Sequence, residues 1–92
     1  MTSIELRLPS MLASAAGGST RIRVTGETAR QALDDAFARH PLLRTHLLDE
    51  DGRVREHVHL FLNEDDIRER LAAELREGDQ LVVLQQMSGG RG

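Results

Sequence analysis

The sequence contains no cysteine. A disulfide framework, a thiolate-ligated zinc knuckle and a thiol nucleophile are therefore all excluded. A charged-then-apolar N-terminal segment and a long apolar run are absent too, so we expect neither secretion nor membrane spanning and take the cytoplasm as the compartment. The formal net charge is -3 and the arginines form no basic block, which argues against nucleic-acid binding.

Lysine is absent as well, so all 12 basic residues are arginine. A guanidinium stays protonated under ordinary conditions and is not acylated. A protein of this composition with an activated C-terminus therefore cannot acylate a side-chain amine on another copy of itself. An arginine-biased host composition is the simpler explanation for the bias, and the chemical consequence holds in either case.

The length of 92 residues allows one thin core and not two. We expect the domain to occupy residues 1–86 and a flexible, glycine-rich tail to occupy residues 87–92. Alternating apolar and polar residues predict strands at residues 4–8 and 21–24, paired as a hairpin. The small residues 14–20 between them indicate a loop.

The clearest helix begins after Thr28, which forms with Gln31 the pattern of a capping box. Its apolar face carries Ala29, Ala32, Leu33, Ala36 and Phe37. Its opposite face, expected to face water, carries Arg30, Asp34, Asp35 and Arg39. The helix ends at His40-Pro41, because the residue before a proline is pushed out of the helical region. Four leucines that follow are expected to close the core: Leu42, Leu43, Leu47 and Leu48.

The second half of the chain predicts two more strands, at residues 57–62 and 81–84, after a turn at residues 49–52. Between them, residues 63–66 indicate a polar turn, and apolar residues four apart within 67–75 indicate a short helix or an ordered loop. This order favours an α+β fold of the β-grasp, or ubiquitin-like, type. We expect a mixed sheet of four to five strands with one main helix packed on one face.

Three segments have a recognisable order and spacing: residues 57–68 (HVHLFLNEDDIR), residues 77–84 (EGDQLVVL) and Gly89-Gly90. Together they resemble the ThiS/MoaD family of sulfur carriers, and most closely its branch that supplies sulfur for cysteine synthesis. That branch carries an asparagine-acidic turn after one strand, a Gly-Asp turn into the last strand, and a diglycine several residues beyond. The resemblance covers nearly the whole chain.

The resemblance implies a carrier that partner enzymes act on, and not an enzyme. In the family, an E1-like activating enzyme uses ATP and Mg²⁺ to adenylate the C-terminal glycine. A sulfur donor converts the acyl-adenylate to a thiocarboxylate, and a downstream sulfhydrylase or synthase passes the sulfur to an acceptor. The implied protein binds no cofactor itself, has no catalytic residue and is a monomer when free. The implied site is Gly90, with Gly89 before it.

The chain departs from the family pattern at its end, because Arg91-Gly92 follow the diglycine. The carbonyl of Gly90 is therefore in a peptide bond. Either a protease such as a JAMM-type zinc peptidase removes the dipeptide as a cap, or Gly92 itself is activated, or the dipeptide is a cloning remnant. We favour the removable cap, because a cap prevents premature activation. Activation at Gly92 would place an arginine side chain where the family has glycine.

Three apolar residues are candidates for docking to the activating enzyme: Phe61, Leu84 and Met87. Phe61 and Leu84 are expected to point away from the helix-covered face, and Met87 lies in the tail. Packing of one or both strand residues beneath a loop is the alternative. His57 and His59 share a strand face, but no third ligand is evident, so we expect no metal site. Either histidine could instead sense pH or contact a partner.

The acidic groups at residues 49–51 and 64–66 lack the ligand spacing of an EF-hand and indicate solvated turns. No nucleophile–base pair, phosphate loop or cofactor fingerprint is present. Beside the sulfur carrier, three functions stay open: the small subunit of molybdopterin synthase, a protein modifier conjugated to target lysines, and an interaction module with an inert tail. The sequence does not identify the final sulfur acceptor, whether for cysteine, homocysteine or another metabolite, because the partner enzymes select it.

Overall fold

The computed structural model describes residues 2–86, which form a five-stranded sheet with two α-helices. The strands are β1 (Ser3–Arg7), β2 (Arg21–Thr25), β3 (Val58–Leu62), β4 (Asp65–Asp66) and β5 (Gln80–Gln85). The helices are α1 (Ala29–Arg39) and α2 (Pro41–Leu47), with a 3₁₀ helix at Ser10–Ala16. The strand order is β2-β1-β5-β3-β4, and β1 runs parallel to β5 while the other pairs are antiparallel. The predicted β-grasp arrangement is confirmed.

The N-terminal hairpin forms as predicted, with β1 and β2 in register from Ser3 opposite Thr25 to Arg7 opposite Arg21. The predicted loop at residues 14–20 is wrong over its first half, because the 3₁₀ helix continues to Ala16. That helix buries Leu12, Ala15 and Ala16 against the core. Gly17 then ends it in the left-handed conformation, with φ 68°.

Helix α1 begins at the predicted capping box. The Gln31 N–H donates to Thr28 Oγ1 at 3.2 Å, and Gln31 Oε1 accepts from the Glu27 N–H at 2.8 Å. All five residues of the predicted apolar face are buried. The chain before this helix packs tightly against its first turn. A Cβ on Gly26 would lie only 2.6 Å from the backbone nitrogen of Ala32.

One charged pair of α1 closes the free edge of β2. Asp35 Oδ2 accepts from the Thr25 N–H at 3.0 Å, and Arg39 donates to the Arg23 carbonyl at 2.6 Å. The two side chains also form an ion pair, with N and O 3.1 Å apart. Asp35 and Arg39 were expected only to face water, yet they occupy backbone groups that an edge strand otherwise offers to a neighbouring chain.

Helix α2 places its leucines differently from the prediction. Leu43 and Leu47 are buried, and Leu48 after the helix is buried as well. Leu42 is 63% exposed, so its assignment to the core was wrong. The reason is helical geometry, since residues four apart share a face and the neighbouring position points elsewhere. Pro41 suits the first position of this helix, because that position needs no N–H donor.

The segment between β3 and β5 is an ordered loop with β4 in it, and residues 67–75 form no helix. Ile67 and Leu75 are buried in the core, and Leu71 is partly buried against it. Part of the predicted polar turn at residues 63–66 forms β4, which pairs with β3. The turn itself is held at Asn63, whose φ is 56°.

Arg68 ties this loop to the preceding one. Its guanidinium donates to the carbonyls of Val54, Arg55 and Glu56 at 3.4, 3.2 and 3.1 Å. A planar guanidinium presents several donors in a fixed fork and can bind three carbonyls at once. The loops that flank β3 are therefore fixed to each other, and the strand is held between them.

Candidate functional site

One face of the sheet is open to solvent. Along β1, β2, β3 and β5 the exposure alternates, and the buried members are Ile4, Leu6, Ile22, Val24, Val58, Leu60, Leu81 and Val83. Successive side chains in a strand point to opposite faces, so the residues between these share the second face. We call that second face the open face.

The open face carries a small apolar patch, which consists of Phe61, Val82 and Leu84. Phe61 lies opposite Val82 in the β3–β5 pair, and Leu84 lies opposite His59. Leu84 is 49% exposed, while Phe61 and Val82 are partly buried. The prediction that Phe61 and Leu84 point away from the buried face is confirmed. Val82 completes the patch and follows from the period of two along β5, since Leu81 and Val83 point inward.

Gln86, which we call the base of the tail, is the last described residue and lies two residues beyond Leu84 of this patch. The Gln86 N–H donates to the His57 carbonyl at 2.8 Å, so the β3–β5 ladder extends to Gln86. His59 Nε2 lies 3.5 Å from Gln86 Oε1. A chain leaving β5 at this point starts at the end of the sheet where the exposed Leu84 lies.

The remaining predicted site residues lie outside the described residues. These are the docking candidate Met87, the diglycine Gly89 and Gly90, and the dipeptide Arg91 and Gly92. Their assigned roles stay predictions, and so does the division of the chain at residue 86.

The two histidines and the acidic turns form no evident metal centre in the part of the chain that the structure describes. Within residues 2–86 no group of three or more His, Asp or Glu side chains is placed to hold an ion. Asp49 instead organises its own turn, since its Oδ1 accepts from the N–H groups of Asp51 at 2.8 Å and Arg53 at 3.0 Å. The Arg53 N–H, with the Asp51 N–H and nearby arginine charges, lowers the pKa of Asp49.

The polar segments that carry the family resemblance are joined at the opposite end of β5 from the tail. Asn63 Nδ2 donates to Asp79 Oδ1 at 3.1 Å, and Asn63 Oδ1 accepts from the Gln80 N–H at 3.1 Å. The Asn63 N–H donates to the Gln80 carbonyl at 2.8 Å. The asparagine-acidic turn and the Gly-Asp turn thus form one structural unit that fixes β3 to the start of β5.

A polar groove of about 720 Å³ lies between α1 and the loops at residues 49–56 and 68–71. Its lining includes both charge signs: Arg30, Asp49, Asp51, Arg53, Glu56, Arg68 and Glu69. Arg30 donates to the Gly52 carbonyl at 3.0 Å, and Arg68 donates to the Glu56 carbonyl as described, so both arginines hold the loops in place.

No helix among residues 2–86 is both long and apolar enough to cross a membrane.

Comparison with known proteins identifies a common family. The model of the ThiS family matches residues 7–90. The small archaeal modifier protein 1 of Haloferax volcanii is 33% identical over 93 residues, which cover 95% of this chain and 100% of that protein.

Two solved structures extend the likeness to three dimensions. The crystal structure of the Haloferax protein has a TM-score of 0.83 at 31% identity and covers 96% of this chain and 99% of that one. A chain in the crystal structure of the Amycolatopsis orientalis BexX/CysO complex has a TM-score of 0.84 at 27% identity. That match covers 95% of this chain and 99% of the other, so the likeness takes in the sheet and the helices together.

Proposed function

This chain belongs to the ThiS family of small ubiquitin-like proteins, and we propose that it is a sulfur carrier activated at Gly90. An E1-like enzyme transfers AMP from ATP, held with Mg²⁺ in that enzyme, to the Gly90 carboxylate and releases pyrophosphate. Sulfide from a donor then attacks the acyl carbon and displaces AMP, which leaves a thiocarboxylate. A downstream sulfhydrylase or synthase transfers the sulfur into cysteine, homocysteine or another metabolite.

The observation that carries this proposal is where the family match ends. It runs from residue 7 to residue 90, so it includes both glycines and stops before Arg91. A carboxylate at Gly90 requires hydrolysis of the Gly90–Arg91 peptide bond, and a JAMM-type zinc peptidase is the proposed catalyst. Before that cut the acyl group is an amide that ATP-dependent adenylation cannot use.

Glycine suits this position for steric reasons. Without a Cβ, the backbone can approach catalytic groups in a narrow channel closely, and the acyl carbon is open to attack by sulfur. The described part of the chain offers a docking surface, the apolar patch of Phe61, Val82 and Leu84 on the open face. Leu84 lies two residues before Gln86, the last described residue. We assign docking of the activating enzyme to that patch, with Met87 as a further contact from the tail.

ATP–pyrophosphate exchange by the E1-like enzyme tests the activation step. Three forms of the chain are compared: the full-length protein, a form that ends at Gly90, and the latter with Gly90→Ala. We expect exchange with the form ending at Gly90, strongly reduced exchange with Gly90→Ala, and none with the full-length chain. Exchange that the full-length chain supports equally well would instead assign activation to Gly92 and contradict the removable cap.

A matched pair of leucine substitutions tests the docking patch. Leu84→Glu places a charge in the patch, whereas Leu42→Glu places the same charge on α2, where the leucine is 63% exposed. In the form that ends at Gly90, Leu84→Glu should raise the KM for the carrier on the order of tenfold with little change of kcat, because it removes binding contacts and not chemistry. Equal KM values for the two variants would contradict docking through the open face.

A second function, protein modification, is favoured by one specific observation. The Haloferax relative at 33% identity is called a modifier protein. The same acyl-adenylate can acylate a lysine amine of a target and form an isopeptide bond. Because this chain has no lysine, no isopeptide-linked chains of it can form through its own side chains. Immunoblots of the producing cell separate the two functions, since conjugates larger than the free chain indicate modification.

A further inference from the structure

A row of side chains crosses all five strands on the open face. Strand pairing aligns Arg21 with Arg7, Arg7 with Val82, Val82 with Phe61, and Phe61 with Asp66. The two arginines and the aspartate are exposed, and the two apolar residues between them are partly buried. The row therefore has a cationic end on β2 and β1, an apolar centre, and an anionic end on β4, where Asp66 Oδ1 also accepts from the Arg68 N–H at 3.0 Å.

Two like charges face each other at the cationic end. Arg7 and Arg21 are directly opposite each other in an antiparallel pair, and like charges in that position repel. Within residues 2–86 neither guanidinium forms an ion pair or a side-chain hydrogen bond. Glu5 lies on the same face, accepts from Gln80 Nε2 at 3.4 Å and is paired with Arg23, so β1 and β2 carry three arginines and one carboxylate on the open face.

The two ends are far enough apart to act as separate contacts. Four strand spacings separate Arg21 from Asp66, which corresponds to roughly 19 Å. That distance exceeds the Debye length of about 8 Å at physiological ionic strength, so the two ends do not neutralise each other. A protein surface laid across the row therefore meets charges of opposite sign on the two sides of the apolar patch.

We infer that this charge polarity sets the orientation in which the activating enzyme docks, with Arg7 and Arg21 as the orienting residues. The inference rests on the proposed function and adds the chemistry of the partner. The enzyme presents an apolar centre to Phe61 and Val82, and carboxylates to the two arginines. The reversed orientation brings carboxylates against Asp66 and turns the base of the tail away from the active site.

Charge reversal at Arg7 tests the inference through two measurements, the free energy of unfolding and the KM for the carrier. We expect the variant to be at least as stable as the unchanged chain but to bind the enzyme less well. Arg7→Glu places opposite charges across the β1–β2 pair, so the free energy of unfolding should stay equal or rise. Made in the form that ends at Gly90, the same change should raise the KM for the carrier in ATP–pyrophosphate exchange on the order of tenfold, with kcat unchanged. Added salt should raise the KM of the unchanged chain and have less effect on the variant. Arg44→Glu, an exposed arginine on α2, is the control.

The outcomes separate this inference from the proposed function. If the unchanged form that ends at Gly90 supports exchange and Arg7→Glu has the KM of Arg44→Glu, the orienting role is refuted and the carrier function stands. If Arg7→Glu loses stability together with affinity, the arginine serves the fold and the inference is refuted as well. An unchanged chain that ends at Gly90 and supports no exchange refutes both. A salt-sensitive dimer of the free chain assigns the polarity to self-association instead.

Discussion

Asn63 offers the sharpest test of how the family's sequence pattern supports the fold. Its side chain joins two turns, by donating to Asp79 and accepting from the Gln80 N–H. Its φ of 56° is also one that most residues avoid and asparagine tolerates. Replacement by other residues can therefore separate the hydrogen bonds from the backbone conformation.

The expected losses follow from these contacts. Asn63→Gly keeps the conformation and loses two exposed side-chain hydrogen bonds, which lowers the free energy of unfolding by about 1 to 2 kcal/mol. Asn63→Ala loses the same bonds and adds about 1 kcal/mol of left-handed strain. Asn63→Asp keeps the acceptor for Gln80 but sets a carboxylate against Asp79.

Urea denaturation followed by far-UV circular dichroism measures these differences, because the chain has no tryptophan or tyrosine to report by fluorescence. Folded Asn63 variants of the form that ends at Gly90 should keep the exchange activity of that form, since Asn63 is bonded to Gln80 at the start of β5, at the opposite end of the strand from Gln86. If all three variants unfold within about 0.5 kcal/mol of the unchanged chain, the turn is not held as described. Loss of exchange by a folded variant would assign Asn63 to the site.

Three further predictions concern stability and association. Asp35→Ala should cost about 1 kcal/mol and, by freeing the β2 edge, produce concentration-dependent association in sedimentation; a strictly monomeric variant contradicts the edge role. The pKa of Asp49 is lowered, chiefly by the Arg53 N–H, so its charge stabilises the fold above the unfolded pKa of about 3.9 and that contribution is lost as the pH falls through the folded pKa. In Asp49→Asn the free energy of unfolding, measured with urea, should therefore fall less steeply as the pH is lowered. An unaltered pH dependence refutes this. Gly26→Ala should cost about 3 kcal/mol, because its Cβ meets the Ala32 backbone nitrogen at 2.6 Å; a near-neutral result in the same denaturation assay contradicts that packing.

The sequence predicts the local elements well, because each has its own periodicity. The alternation in β1 and β2 and the capping box at Thr28 are local signals, and the structure confirms them. The 3₁₀ helix was missed because its serines and alanines have no clear period. Leu42 was misplaced because it was grouped with the other leucines by composition. The four-residue spacing of Leu43 and Leu47 after Pro41 is the signal that separates them.

Contacts across the sheet could not be predicted in the same way. Glu5 and Gln80 are partners in the parallel β1–β5 pair, although most of the chain lies between them. That register depends on the packing of the whole core, and no local pattern encodes it. The apolar residues Phe61 and Leu84 were identifiable from alternation alone. The polar row from Arg21 to Asp66 was not, since it exists only once five strands are aligned.

The most direct test of the carrier function is the intact mass of the protein isolated from its own cells under sulfur demand. We predict a chain that has lost Arg91-Gly92 and carries sulfur in place of one oxygen at the Gly90 carboxylate. A population that keeps the full-length, oxygen-only mass, while the activating enzyme and the peptidase are present, would contradict the sulfur-carrier function.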